Sequence, residues 1–253
     1  MTGESHPARH VLLVGAQRCG TTYLGAALDT HPHITLARPS RPEPKVWCDA
    51  ELAGRGHASY DATWFAHARD ERLLLDKSTS YLEDPAAPAR ASDALGDPHI
   101  VVVLRDPVQR AVSNWRFSTD HGLESRGLEE ALRADLGEGP GRPWDRATTS
   151  VSPFAYVRRG RYVDHLPPWT ASFPESTHVV FLEELLADPA VLAGLVAALG
   201  VDPALTPEPE PRPVNQSSAE RPVWSGDLQG TLEEYYEPSN AALAEMLGRK
   251  VPW

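Results

Sequence analysis

An apolar run that passes into a glycine-bounded loop and then a helix start, HVLLVGAQRCGTTYL at residues 10–24, constrains this chain more than any other segment. Strand, loop and helix in that order can form a cradle whose backbone N–H groups face an anion. The nucleoside-triphosphatase version, G-x-x-x-x-G-K-[ST], adds a lysine that reaches the outer phosphates and a hydroxyl that holds magnesium. Gly15 and Gly20 keep that spacing, but Thr21 stands where the lysine would be, and the nearest cation is Arg18 inside the loop. The phosphate cradle survives and the triphosphate and magnesium apparatus does not. On this segment alone, a strand and helix joined by incidental glycines stays open.

The rest of the chain places that loop in a fold. Ile100-Val101-Val102-Val103-Leu104 is an uninterrupted apolar, β-branched run, the pattern of a buried parallel strand. Arg105-Asp106-Pro107 ends it, and a proline suits the first turn of the helix that VQRAVSNWRF predicts. Arg105 is therefore expected at the carboxyl end of a strand, where open parallel sheets bind ligands, and Ser113 one to two turns into the next helix. Strands are expected at 11–14, 73–76, 100–104 and 178–181, and helices at 22–29, 86–95, 108–119, 128–136, 160–172, 189–199 and 231–247. This alternation predicts an α/β fold, a P-loop-like central parallel β-sheet flanked by helices on both faces. Residues 136–154 and 202–227 lack periodicity and are read as loops gating the site. Residues 1–9 are read as a disordered N-terminus and 10–253 as a single domain, since 253 residues bury roughly 70–75% of the unfolded surface in one core.

A net charge of −11 argues against nucleic acid or an anionic polysaccharide held by general attraction. Apolar stretches such as VLAGLVAALGV fall short of the ~20 residues of a membrane span, so the chain is read as soluble and cytoplasmic, with no membrane partner. Two cysteines, Cys19 and Cys48, make no disulfide scaffold and no zinc spacing with the scattered histidines; both are expected reduced.

Several segments resemble one enzyme family. Arg18-Cys19-Gly20-Thr21-Thr22 resembles the [KR]-x-G-T-[ST] loop with which sulfotransferases that use 3′-phosphoadenosine 5′-phosphosulfate (PAPS) begin. LLLDKSTSYL, residues 73–82, resembles the E-K-[ST]-x-x-Y segment of the heparan-sulfate sulfotransferases and their bacterial relatives. RRGRYVDHLPPWTASFP at 158–174 is similar to their R-x-G-x-Y helix, and LEEYYEPSNAALAEMLGRKVPW at 232–253 to their C-terminal helix. The resemblance runs from residue 10 to 253. It implies transfer of a sulfuryl group from PAPS to a hydroxyl, with an amine as second choice, of a small-molecule or saccharide-containing acceptor. No metal is implied: a sulfuryl group carries about one formal negative charge less than a phosphoryl group, so cations and N–H dipoles can stabilise its transfer. A P-loop kinase of small molecules and a catalytically inactive nucleotide-binding protein are the alternatives.

On the same resemblance, Gly15, Gln17, Arg18, Cys19, Gly20, Thr21 and Thr22 bind the 5′ side of the cofactor, while Arg105 and Ser113 grip its 3′-phosphate. A forked guanidinium suits a phosphate dianion, although Arg105 paired with Asp106 is the plainer alternative. Ser217 and Arg221, in NQSSAER, correspond in position to a cap over adenine and 3′-phosphate. RPEPKVWC, residues 41–48, occupies the place of the family's K-E-[PIV]-x-[FYW]-[FYW] segment and offers Glu43 as general base. It departs at Pro42, where a lysine is usual, and Lys45 offers charge from the other side; a solvated surface acid is the other reading of Glu43. Arg18 replaces a commoner lysine and is effectively never deprotonated, so its catalytic role is electrostatic. Lys77 is the remaining candidate to touch the sulfuryl oxygens or 5′-phosphate, against a structural ion pair with Asp76. Trp47, Trp64, Phe65, Trp115, Tyr156, Tyr162 and Trp169 are candidates for an acceptor pocket, with more of them expected in the core.

Overall fold

The computed structural model describes residues 8–137, 142–144, 152–207 and 224–253. These group into two compact units, Met1–Leu104 with Pro167–Val214, and Arg105–Leu166 with Asn215–Trp253.

The first unit is built on a five-stranded parallel sheet, β1 (Arg9–Gly15), β2 (Ile34–Leu36), β3 (Leu73–Lys77), β4 (His99–Leu104) and β5 (Thr177–Phe181), in the order β2-β3-β1-β4-β5. Consecutive residues of β1, β3 and β4 are buried, so both faces of the sheet are covered. That is why these strands read as unbroken apolar runs rather than as alternation. The helices between these strands are α1 (Thr21–Asp29), α2 (Ala50–Gly54), α3 (His57–Trp64) and α4 (Ala87–Leu95). The second unit contributes α5 (Pro107–Asp120) and α6 (Leu128–Gly137), after which the first unit resumes with α7 (Pro167–Ser172), α8 (Leu182–Ala187) and α9 (Pro189–Ala198). Helix α10 (Gly226–Leu247) completes the second unit. There the apolar faces of α5, α6 and α10 meet through Val108, Ala111, Leu132, Leu228, Leu232 and Tyr236.

The predicted α/β fold is the observed one, with corrections at particular elements. The helix expected over 160–172 is instead two 3-10 turns, Arg158–Gly160 and Tyr162–Asp164, followed by α7. Proline disfavours helical backbone in the residue before it and fits the first helical position, so Pro167 starts a new helix where a continuous one was expected. Helix α10 begins at Gly226, earlier than the expected 231, because the Ser225 side chain caps it by accepting from the Leu228 amide. Strand β2 is three residues long and carried no pattern of its own. Trp47, Trp169, Tyr156, Tyr162 and Phe65 are buried in the core, which removes them from the candidate acceptor pocket, while Trp64 and Trp115 are half-buried. His31 is also structural: its Nε2 meets the Asp202 carbonyl at 2.9 Å and its Nδ1 accepts from the His33 amide.

Candidate active site

The phosphate-type loop leaves β1 at a bulge. Leu13 pairs with Val101 and Gly15 with Val102, so two residues of β1 oppose one step of β4 and the chain bends as it enters the loop. The Ala16 amide then bonds the Val103 carbonyl at 2.7 Å, fastening the start of the loop to β4. A side chain on Gly15 would stand 2.9 Å from Leu82, so only glycine lets the segment after β3 lie this close. Gly20 has φ +87° and caps α1. No side chain caps that helix; its first turn, carrying buried Thr21 and half-buried Thr22, presents its backbone dipole and amides as an anion site would. Gln17 and Arg18 are half-buried and Cys19 is buried. Arg18 is held at φ 69°, a left-handed conformation that costs a non-glycine residue of order 1 kcal/mol and recurs at ligand clamps.

Beside this loop in the same unit, the segment after β3 organises a carboxylate. Lys77, paired in register with Leu13 of β1, lays its stem against α1 at Gly25, where an added Cβ would stand 3.2 Å from the lysine's Cδ. Its Nζ donates to Glu43 Oε1 at 2.5 Å. The other oxygen, Oε2, accepts from the Thr79 amide at 3.1 Å and the Thr79 hydroxyl at 3.2 Å. The Lys77 and Glu43 side chains are 9% and 18% exposed, so Glu43 is a paired, partly buried carboxylate rather than a solvated one. A carboxylate has about four acceptor sites, and three donors leave one for a further proton. The lysine that Pro42 displaces from the sequence motif thus has a counterpart in space, delivered from the neighbouring strand.

Asp76, one residue before Lys77, is fully buried and does not pair with it. Its Oδ1 accepts from Ser78 Oγ at 2.7 Å and its Oδ2 from the Tyr60 and Tyr81 hydroxyls, both at 2.8 Å. Ser78 Oγ in turn accepts from the Lys45 amide, tying the Glu43 segment to the end of β3. Burial lifts the Asp76 carboxyl from 3.8 to about 6, against the three hydroxyl donors that favour its charged form, with the Glu43 charge adding to the rise. A folded-state pKa above the unfolded one means that the native state binds the extra proton between pH 4 and 6. Stability therefore falls by roughly 3 kcal/mol as pH rises through that window and levels off above it. Asp76→Asn is expected to abolish this slope. Urea unfolding of parent and variant from pH 4 to 7 checks it; a difference between the two that stays constant with pH rules out Asp76 as its source.

The second unit holds the other expected pair. Arg105 follows β4 directly, and the Asp106 carboxylate caps α5 by accepting from the Val108 and Gln109 amides at 2.8 and 3.3 Å. The Tyr162 hydroxyl, from the R-x-G-x-Y segment, donates to the Arg105 carbonyl at 2.7 Å and fixes the backbone from which the guanidinium extends. Ser113 lies two helical turns beyond Asp106, on the less buried face of α5, opposite the buried Val108, Ala111 and Val112. The geometry thus assembles Glu43 and Lys77 in one unit, with the loop, and positions Arg105 and Ser113 in the other. Ser217 and Arg221 lie outside the described residues. Thr79 was missed because the motif leaves its position unspecified, and Tyr60 because nothing in the sequence links α3 to Asp76. Tyr81 had a signal, the fixed spacing of the motif's tyrosine after its acid.

The chain is similar to known proteins over most of its length. Residues 8–197 match the family described as "Sulfotransferase domain". Human heparan sulfate glucosamine 3-O-sulfotransferase 6 is 30% identical over 96% of this chain and 72% of its own length. The mouse bifunctional heparan sulfate N-deacetylase/N-sulfotransferase 3 is 25% identical over 94% of this chain, which spans only 30% of that relative. Among solved structures, a sulfotransferase from Alicyclobacillus acidocaldarius superposes with a TM-score of 0.76 at 25% identity, covering 97% of this chain and 98% of the other. The sulfotransferase domain from the curacin biosynthetic pathway, with a TM-score of 0.55 at 15% identity over 98% and 100% of the two chains, shares the fold.

Proposed function

Because the chain belongs to the sulfotransferase domain family, we propose that it transfers a sulfuryl group from PAPS to a hydroxyl of a small-molecule or saccharide-containing acceptor. The observation that carries this reading is Glu43, paired by Lys77 and Thr79 in the same unit as a phosphate-type loop that lacks the triphosphatase lysine. The cofactor fits the residues present. Gly15 and Gly20 let Leu82 and Leu182 pack directly against the loop backbone, and the first turn of α1 and Arg18 provide donors and positive charge. Arg105 and Ser113 are assigned to its 3′-phosphate. When bound, PAPS supplies the sulfuryl group and a 5′-phosphate as leaving group.

Glu43 takes the proton of the acceptor hydroxyl at its remaining acceptor site, so that the oxygen becomes nucleophilic as the new bond forms. Lys77 holds the carboxylate in place and puts a cation where negative charge develops, and Arg18 stabilises the departing phosphate. The net charge of −11 favours a small or weakly charged acceptor over the heparan sulfate of the relatives' names. No helix among the described residues is long and apolar enough to cross a membrane.

Incubation with PAPS and a panel of hydroxylated and aminated small molecules should yield products heavier by one sulfo group. Binding is tested separately. 3′-Phosphoadenosine 5′-phosphate should stabilise the fold by about 2.7 kcal/mol at a hundredfold excess over its Kd, and ATP with magnesium by much less. Equal or tighter binding of ATP in calorimetry overturns the assignment in favour of a kinase.

A further inference from the structure

At the start of β1, away from the loop, three side chains converge. His57 and Asp61 are four apart on α3 and so share one face. His10, on β1, meets that face. The Asp61 carboxylate bridges the two imidazoles, with Oδ1 2.8 Å from His10 Nε2 and Oδ2 3.0 Å from His57 Nε2. The His10 and His57 rings stand edge to face with centroids 4.8 Å apart, and Tyr60 and Phe65 pack on His10 from its other sides. One ligand atom from each of the three lies within 4.8 Å of the other two, a constellation that no known feature of the site above requires. Fifty-one positions separate His10 from Asp61, so it exists only in the folded chain.

We propose that His10, His57 and Asp61 bind one divalent transition-metal ion, of which zinc is the representative, and that this ion fastens α3 to the sheet. Zinc takes imidazole nitrogen at about 2.0–2.1 Å and carboxylate oxygen at about 2.0–2.2 Å, which sets its ligand atoms roughly 3–3.5 Å apart. The His57–Asp61 separation of 3.0 Å meets this, and the His10–Asp61 separation of 2.8 Å lies just below it, so the carboxylate moves only slightly as the ion enters. The two imidazoles must also draw together, and His57, 48% exposed, has room to turn towards His10, which is fixed at 3% exposure. Asp61, 36% exposed, leaves the site open to water for the remaining coordination positions. Two imidazoles and one carboxylate suit zinc and its neighbours; magnesium and calcium take all-oxygen shells. At eight residues α3 is too short to be stable by itself, so its attachment to the sheet is where a tether acts. His10 lies five residues upstream of Gly15, about 16 Å along an extended strand, so the ion plays no part in sulfuryl transfer and the inference stands apart from that reading.

The test uses the full chain stripped with a chelator, then titrated with zinc chloride, with magnesium chloride as control. One zinc per chain by calorimetry, and a melting temperature that climbs with the logarithm of zinc concentration but not with magnesium, are expected. His57→Ala and His57→Gln alter an exposed side chain, and both should keep the parent's far-ultraviolet circular dichroism while losing at least tenfold in zinc affinity. Cys19 and Cys48 are common to all three proteins, so thiol binding cancels in the comparison. No zinc-dependent rise in the parent, or equal rises in parent and both variants, overturns the site.

Discussion

Glu43→Gln should lower turnover by roughly 100- to 10,000-fold at saturating PAPS and acceptor, with the affinity for 3′-phosphoadenosine 5′-phosphate within a few-fold of the parent. The amide keeps the shape of the carboxylate and an oxygen to accept from Lys77 or Thr79, but has no basic site for the acceptor's proton. The Lys77 contact at 2.5 Å loses its charge partner, which affects stability as well as chemistry. The kinetic signature separates the two effects. A lost base depresses kcat, whereas a loosened Lys77 and Thr79 raise KM and lower the melting temperature. Because a phenol that is already partly ionised needs less help than an aliphatic alcohol, the loss should be smaller for the more acidic acceptor. A variant that turns over within a few-fold of the parent with an aliphatic alcohol removes Glu43 from the reaction.

Arg105→Ala should weaken binding of 3′-phosphoadenosine 5′-phosphate by about 30- to 1000-fold while leaving adenosine 5′-phosphate nearly unchanged. Truncating one side of a desolvated, hydrogen-bonded charge pair costs about 2–4 kcal/mol, and only the bisphosphate carries the second partner. The backbone should survive the change, since Tyr162 bonds the Arg105 carbonyl rather than its guanidinium, and Asp106 still caps α5. Arg105→Lys should restore part of the loss, because a point charge replaces the fork without its second hydrogen bond. Equal losses for the two nucleotides by calorimetry reassign the 3′-phosphate to another residue.

The parts of this protein legible in its sequence are those settled within a few residues along the chain. The apolar runs at 11–14 and 100–104 carried the pattern of buried parallel strands. Asp106-Pro107 spelled a helix start, and the glycines at 15 and 20 marked a loop, of which Gly20 takes the left-handed backbone that glycine allows. Each depends on periodicity, capping or allowed φ, which neighbouring residues set among themselves. The same local logic failed where one residue overrode a pattern, as Pro167 did in splitting the helix expected over 160–172.

Tertiary structure alone decided the side-chain partnerships. Lys77 turned to Glu43, thirty-four positions away, rather than to the adjacent Asp76, which is instead held by Tyr60 and Tyr81. His10 came to lie against His57 and Asp61, which the spacing of histidines and cysteines in the sequence did not suggest. Aromatic residues that looked suited to an acceptor pocket went into the core. The physical reason is common to all of these. A partner across a closed loop is chosen by which strand lies beside which and by what burial makes of each charge, and neither leaves a spacing in the sequence.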